Sequence, residues 1–279
     1  MNLNRAAWRR PFNSRRVRSK TLRFERLEDR LLLATVSWIT DSDGFWDVAS
    51  NWSTGTEPGP NDDVMVDRPA GDFTISHRQG SNSIRSLTST EAVTLSGGRL
   101  NVAATVQVSN TFTMAGGTLA NATVLGASGT KLVLTGNGGT LDGVRVDGDL
   151  VLGSWATATI VNGLELNGTV TLAEQYSRLD FVGTQTLSGT GAVVFGNFYA
   201  NAVRVNDAGT TLTIGSGITI RGGSNQGYGA RLGYSDYWGG PTNIAVVNLG
   251  TISADGSRIT LLQGSFTNAG TAEARNGGE

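Results

Sequence analysis

Between residues 141 and 172 the apolar positions of the chain repeat at a fixed offset. Leu141-Asp-Gly-Val-Arg-Val-Asp-Gly-Asp-Leu-Val-Leu152 returns, with each number raised by 20, as Val161-Asn-Gly-Leu-Glu-Leu-Asn-Gly-Thr-Val-Thr-Leu172. Leu141, Val144, Val146, Leu150 and Leu152 fall on Val161, Leu164, Leu166, Val170 and Leu172, and Gly143 and Gly148 fall on Gly163 and Gly168. Apolar residues that alternate with polar ones predict short strands with one buried face. The glycines between them predict turns. A unit this short buries its apolar face only by stacking on a copy of itself.

The same offset joins Asn248-Leu-Gly-Thr-Ile-Ser-Ala254 to Asn268-Ala-Gly-Thr-Ala-Glu-Ala274. Leu95-Ser-Gly-Gly-Arg-Leu100, Met114-Ala-Gly-Gly-Thr-Leu119 and Gly138-Gly-Thr-Leu141 keep a similar beat. The pattern predicts an all-β chain: a single-stranded parallel β-helix, or β-solenoid, with about 20 residues per rung over residues 64–274. Asn248 should stand over Asn268, with their amides hydrogen-bonded along the ladder. Two other repeat folds fit less well. A leucine-rich repeat wants Asn three residues after its core, where Asp149 and Thr169 stand. A calcium-binding nonapeptide array wants tandem G-G-x-G-x-D, which the sequence lacks.

The beat is broken at two places. Trp38, Phe45, Trp46 and Trp52 crowd into residues 35–68, which predicts a Trp-rich cap over the first open end, followed by a first rung strand at Val64–Asp67. Residues 222–242 read as a loop inserted into the solenoid of residues 69–279, carrying Tyr228, Tyr234, Tyr237 and Trp238. These four are the candidate glycan-binding residues, since rings stack on sugars while Asp236, Arg231 and Asn225 could bond their hydroxyls. The competing reading folds the rings back over apolar side chains of the rod, and the large area an aromatic buries favours it.

Charge divides the chain. Residues 1–34 carry ten Lys and Arg against three acids, whereas the rest carries twelve against twenty. A basic leader on an acidic body offers no basic face to a nucleic acid. The leader's longest apolar run, Leu31–Ala34, is far short of a membrane span of ~20 residues. Its final stretch, Phe24, Glu25, Leu27, Glu28, Arg30, Leu32 and Leu33, resembles the N-terminal motif of planctomycete LEPR-XLL surface proteins, except that Asp29 stands where Pro is common. That resemblance implies export to the cell surface, with residues 1–34 a disordered leader outside the fold. Asn51-Trp-Ser53 followed by Pro58-Gly-Pro-Asn-Asp-Asp-Val64 is similar to the start of many bacterial surface β-helix proteins. The Gly-Thr-Leu strings at 179–195 and 211–220 resemble adhesin and autotransporter repeats.

The sequence has no Cys, and after residue 34 it has one Lys (Lys131) and one His (His77), the latter read as solvated surface. Asp41-x-Asp43-Gly44 fails the EF-hand pattern, because Trp52 holds the position of the bidentate Glu. Asp142, Asp147 and Asp149 have Asn162, Asn167 and Thr169 as repeat partners, so no acid column forms. No nucleophile triad, phosphate loop or zinc spacing is present. The sequence therefore predicts a secreted or cell-surface rod without cofactor or enzymatic activity, with glycans or other surface proteins as partners and strand-edge association at its C-terminal end. The alternative is a polysaccharide lyase or hydrolase, a class that β-helices often host.

Overall fold

The structure is a computed structural model and describes residues 35–69, 71–126 and 131–279. The export motif, Phe24 to Leu33, lies outside the described residues. The described chain is a β-solenoid of about 10 coils averaging ~21 residues. Every ladder pairing among its strands is parallel, and one short 3-10 turn, Ala49–Asn51, is the only helical element among the described residues.

Each coil lays strands along three faces. The first face is an 11-stranded sheet running from Gly44–Phe45 and Thr74–His77 to Thr271–Arg275. The second runs from Ser81–Ile84 to Thr260–Leu262, and the third from Thr35–Ser37 to Ser265–Asn268. These two join into one 18-stranded sheet, because Gly139–Val146 and Thr157–Leu166 run along one face, bend and continue along the next. Gly143 (φ 61°) and Asn162 (φ 58°) make that bend in left-handed backbone, which glycine and asparagine tolerate best.

Alternating side chains point inward and stack coil upon coil. Ile75, Val93, Phe112, Leu132, Leu150, Val170, Val193, Ile220 and Ile252 stand in register and are all buried. Successive members of this column differ in number by between 18 and 20 up to Val170, and then by 23, 27 and 32. The expected period of 20 thus describes only the unexpanded coils.

The corner from the third face to the first holds this stack at constant pitch. In several coils it has two residues ending in glycine: Asp147-Gly148, Asn167-Gly168, Thr190-Gly191, Leu249-Gly250 and Ala269-Gly270. A Cβ built on Gly148 would lie 2.8 Å from the Gly126 Cα, and one on Gly168 would overlap the Gly148 carbonyl. Close approach of backbone to backbone, rather than an unusual φ, excludes a side chain here. Asn167 ties the corner to its neighbours, donating to Asp147 at 2.7 Å and accepting from the Thr190 N–H at 3.2 Å. Asn248 donates to Asn268 at 2.7 Å, the amide step that the repeat predicted.

The first coil is closed by Trp38, Trp46 and Trp52, each 1% exposed, whose rings meet edge to face at 5.1 and 4.8 Å. Phe45 does not join them: it is exposed, with the Arg78 guanidinium 3.7 Å above its ring. The capping segment also extends the ladder, since Thr35–Ser37 pairs with Asp63–Val66. The three acids of this segment brace it against the next coil. Asp41 pairs with Arg68, Asp43 accepts the Thr74 N–H at 2.8 Å, and Asp47 pairs with Arg78 at 3.0 Å.

Two expectations are corrected. His77 is not solvated: it is 1% exposed, standing in register with Leu95 in an inward column. The Gly97 carbonyl and the Asn82 side chain stand 2.9 Å from its two ring nitrogens, so each nitrogen has a polar neighbour inside the core. Residues 222–242 are not one insertion either. Arg231–Gly233 is a strand of the second face, paired with Ala202–Val205 below and Thr260–Leu262 above. Two separate loops, 223–230 and 234–244, flank it.

A substitution at the tight corner tests its role. Gly168→Ala should cost more than about 2 kcal/mol, because the backbone of Gly148 in the neighbouring coil must move. Gly59→Ala, whose new methyl would meet only an Asp62 oxygen at 3.5 Å, should be near neutral. Thermal melts of the two variants against wild type make the comparison; equal melting temperatures would remove the corner from its role.

Candidate functional site

The corner between the first and second faces behaves differently from the glycine corner. Its loops grow with height, from four residues at 153–156 to five at 173–177, six at 196–201 and eight at 223–230, then return to four at 256–259. Each of the first four brings a ring to the cluster, Trp155, Tyr176, Tyr199 and Tyr228, and the third also exposes Phe198. The loop 234–244 reaches across from the far side of the second face and adds Tyr237 and Trp238.

These six rings form one cluster. Trp155 and Tyr176 stack at 4.0 Å with planes 19° apart. Tyr199 meets Tyr176 at 5.5 Å and Tyr228 at 5.6 Å, both edge to face. Tyr237 lies 5.5 Å from Tyr176 and from Tyr199, and 4.9 Å from Trp238. Contacts of this geometry stabilise one another beyond the area they bury. Even so, Trp155 remains 51% exposed, Tyr228 42% and Tyr237 37%.

The loop 234–244 is held by charge as well as by rings. Arg231 clamps Asp236 through two bonds, at 2.7 and 3.2 Å. On the second face Asp180 is shared by Arg178 and Arg204, at 3.0 and 2.7 Å, and Arg204 donates on to the Gly239 carbonyl at 3.1 Å. The Trp238 indole N–H donates to the Ala200 carbonyl at 2.7 Å, while its ring covers the Arg178 guanidinium at 4.0 Å. Polar residues that would otherwise face solvent are thereby buried: Asp180 is 4% exposed and Arg204 6%. The Arg231 guanidinium holds the Asp236 carboxyl below its ordinary range. Burial among neighbouring rings pushes the Tyr199 and Tyr237 hydroxyls up, so both remain neutral donors at neutral pH.

The four rings named from the sequence divide between the two readings. Tyr228 and Tyr237 stand outward in the cluster. Trp238 folds back to roof Arg178, and Tyr234 packs against the apolar core. Trp155, Tyr176 and Tyr199 were missed, although each sits in its coil just before the second-face strand begins.

The acids considered for chemistry serve the ladder. Asp142 accepts from Arg99 at 2.7 Å and Asn162 at 2.6 Å, Asp147 from Arg145 at 2.8 Å, and Asp149 from the Thr169 N–H at 3.1 Å. The Asn162 and Arg99 bonds hold the Asp142 carboxyl below its ordinary range. No cluster of three or more His, Cys, Asp and Glu suited to a metal ion is found among the described residues. None of their helices is long and apolar enough to cross a membrane. The chain matches no protein-family model, no curated protein and no solved structure.

The pH dependence of the clamp follows from its sign. A carboxyl whose folded value lies below its ordinary 3.8 stabilises the fold above that value and loses the contribution as pH falls through the folded value. Near-UV circular dichroism of the ring cluster should therefore be flat from pH 7 to about 5 and change below about 4. In Asp236→Asn the signal should already be altered at pH 7, by the loss of no more than about 1 kcal/mol of a half-exposed ion pair. An identical acid profile in the variant would remove Asp236 from the clamp.

Proposed function

We propose that this chain is a non-enzymatic structural and adhesive rod of the cell surface, with the ring cluster as its contact site for glycans. The observation that carries the reading is the cluster itself: six aromatic side chains gathered from five loops, three of them left well exposed. Exposed apolar patches with polar rims mark interaction sites. A solenoid suits the role because its stability comes from stacked inner columns, leaving corner loops free to vary. The basic leader with its LEPR-XLL-like motif supports export, and the acidic body supports solubility outside the cell. Against the lyase or hydrolase alternative stands the engagement of Asp142, Asp147 and Asp149 in ion pairs and ladder bonds.

A glycan array probed with wild type and a Tyr228→Ala, Tyr237→Ala double variant tests the site. Wild type should bind and the variant should lose binding while keeping the far-UV circular dichroism of the folded solenoid. Incubation with pectin-type polysaccharide should release no new chain ends. Cleavage that disappears on Asp142→Asn would sink the non-enzymatic reading.

Strand addition at the last coil belongs to the same proposal. Leu261 and Phe266 occupy the register of buried Leu232 and Val246, yet are 38% and 41% exposed. An added strand, of this chain or another, would cover them. The expected outcome is concentration-dependent association by sedimentation, suppressed by Phe266→Lys; a monomer at every concentration would refute it.

A further inference from the structure

The ring cluster ends abruptly on its lower side, and the step there is shaped for one ligand group. Trp155 and Tyr176 occupy the same register position in successive coils, and both have left-handed backbone, with φ 64° and 62°. Ala200, at the same position one coil up, shares that backbone with φ 58°, so the turn sets it and the two bulky residues tolerate it. Above Tyr176 the position is taken by Ala200, and below Trp155 by Gly136, whose Cβ would lie 3.7 Å from the Trp155 Cβ. Two large rings therefore stack between two small residues. Tyr176 covers one face of the Trp155 ring, and Trp238 meets it edge-on at 6.1 Å.

The other side of Trp155 looks down on low ground. In the three coils beneath, this corner reads Ser96-Gly-Gly98, Ala115-Gly-Gly117 and Thr135-Gly-Asn-Gly138. The Gly-Gly beat of the sequence, which the left-handed backbone of the turn (Gly98 φ 69°, Gly117 φ 67°) and its close approach to the coil below already require, also paves a terrace of backbone with a tryptophan standing at its upper end. Gly136 and Asn137 are exposed on that terrace and offer peptide and amide groups.

The cations around the step are committed, while the exposed Glu174, in the loop that carries Tyr176, has no ion pair among the described residues. Arg178 and Arg204 share Asp180, and Arg231 holds Asp236. A ring face beside neutral amides, with no uncommitted cation and one unpaired carboxylate nearby, disfavours an acidic ligand and matches one that has an apolar C–H face and uncharged hydroxyls. We propose that the step below Trp155 is a binding site for one pyranose unit of a neutral glycan, with the sugar stacked on the free face of Trp155 and its hydroxyls bonded to the Gly136–Asn137 segment. The proposal rests on the glycan reading and moves its centre from residues 222–242 to a residue outside them.

Two substitutions isolate the step. Trp155→Gly removes the ring and relieves its backbone, so the fold should be as stable as wild type or more so. Gly136→Leu keeps the ring and fills the space beneath it. The glycine's φ is not left-handed, and its new Cβ would meet the Ser154 carbonyl at 3.2 Å and the Trp155 Cβ at 3.7 Å. The probes are cellohexaose, mannohexaose and β-1,4-galactohexaose, with hexagalacturonate as the acidic comparison, followed by titration calorimetry. Wild type should bind at least one neutral probe more tightly than hexagalacturonate. Each variant should bind that probe about tenfold or more weakly, the scale of one aromatic contact, with an unchanged or raised melting temperature. If wild type binds and both variants bind equally well, the step is wrong and the glycan reading survives. Preference for hexagalacturonate overturns the neutral class. Failure of wild type to bind any probe, there and on the array, overturns both.

Discussion

Backbone meets backbone at the corner between the third and first faces, and the rest of the molecule is arranged around that contact. Gly126, Gly148, Gly168 and Gly191 lie so close to the chain of the neighbouring coil that a methyl on any of them would collide with it. In these coils the contact fixes where the first-face strand starts. Once that start is fixed, inward positions must align, because strand side chains alternate with a period of two and a slip of one residue would turn the core outward. The apolar columns from Ile75 to Ile252 are the consequence. Polar ladders such as Asp147–Asn167 and Asn248–Asn268 reinforce the same corner from outside the core.

The corner between the first and second faces is also packed through glycines in the lower coils, at Gly97–Gly98 and Gly116–Gly117, and it lengthens steadily only from residue 153 upward. The path from the first face to the third can lengthen without disturbing the columns, and it does so over four successive coils. The extra chain is not slack. It brings a ring to the cluster from each coil, and because coils stack at the strand spacing of ~4.8 Å, rings at equivalent corners come within contact distance of one another. The aromatic cluster is therefore a product of the repeat: an aromatic at one corner in one coil finds its partner at or beside the same position in the next.

This division explains what could be read from the sequence. The offset of 20 was legible where corners stayed short, as in Leu141–Leu172 and Asn248–Ala274, since apolar residue then falls on apolar residue at constant spacing. It failed between Val193 and Ile252, where the step from Val193 to Ile220, and again from Ile220 to Ile252, is longer than in the coils below. The strand Arg231–Gly233 was hidden for a related reason: it has three residues, one of them apolar, and its neighbours below supply the register that its own sequence lacks. His77 was misread because polarity usually signals exposure. Its inward position shows only once Thr74–His77 is aligned with Ala92–Leu95, and its ring nitrogens meet Asn82 nearby in the chain and Gly97 one coil on. Trp155, Tyr176, Tyr199 and Tyr228 follow one another at intervals that lengthen with the growing coils, and so look unrelated in the linear chain.

The loop 234–244 shows why the cluster needs more than rings. Asp180 lies on the outward side of its strand, where a carboxylate would ordinarily be hydrated, yet it is 4% exposed between Arg178 and Arg204. Burying such a group costs several kcal/mol of solvation, which the two guanidinium groups offset only with good geometry, so the net gain in stability is small. What the arrangement gains is position. Arg204 reaches from Asp180 to the Gly239 carbonyl, and Arg178 lies flat beneath Trp238, so the buried acid fixes two points of the loop relative to the sheet. Arg231 fixes a third through Asp236. Three anchors on one short loop leave Tyr237 little freedom, and it is Tyr237 that touches both Tyr176 and Tyr199. The charges beneath the surface thus set the order of the rings above it, and a surface ordered before its ligand arrives loses less entropy on binding than one that must assemble around it.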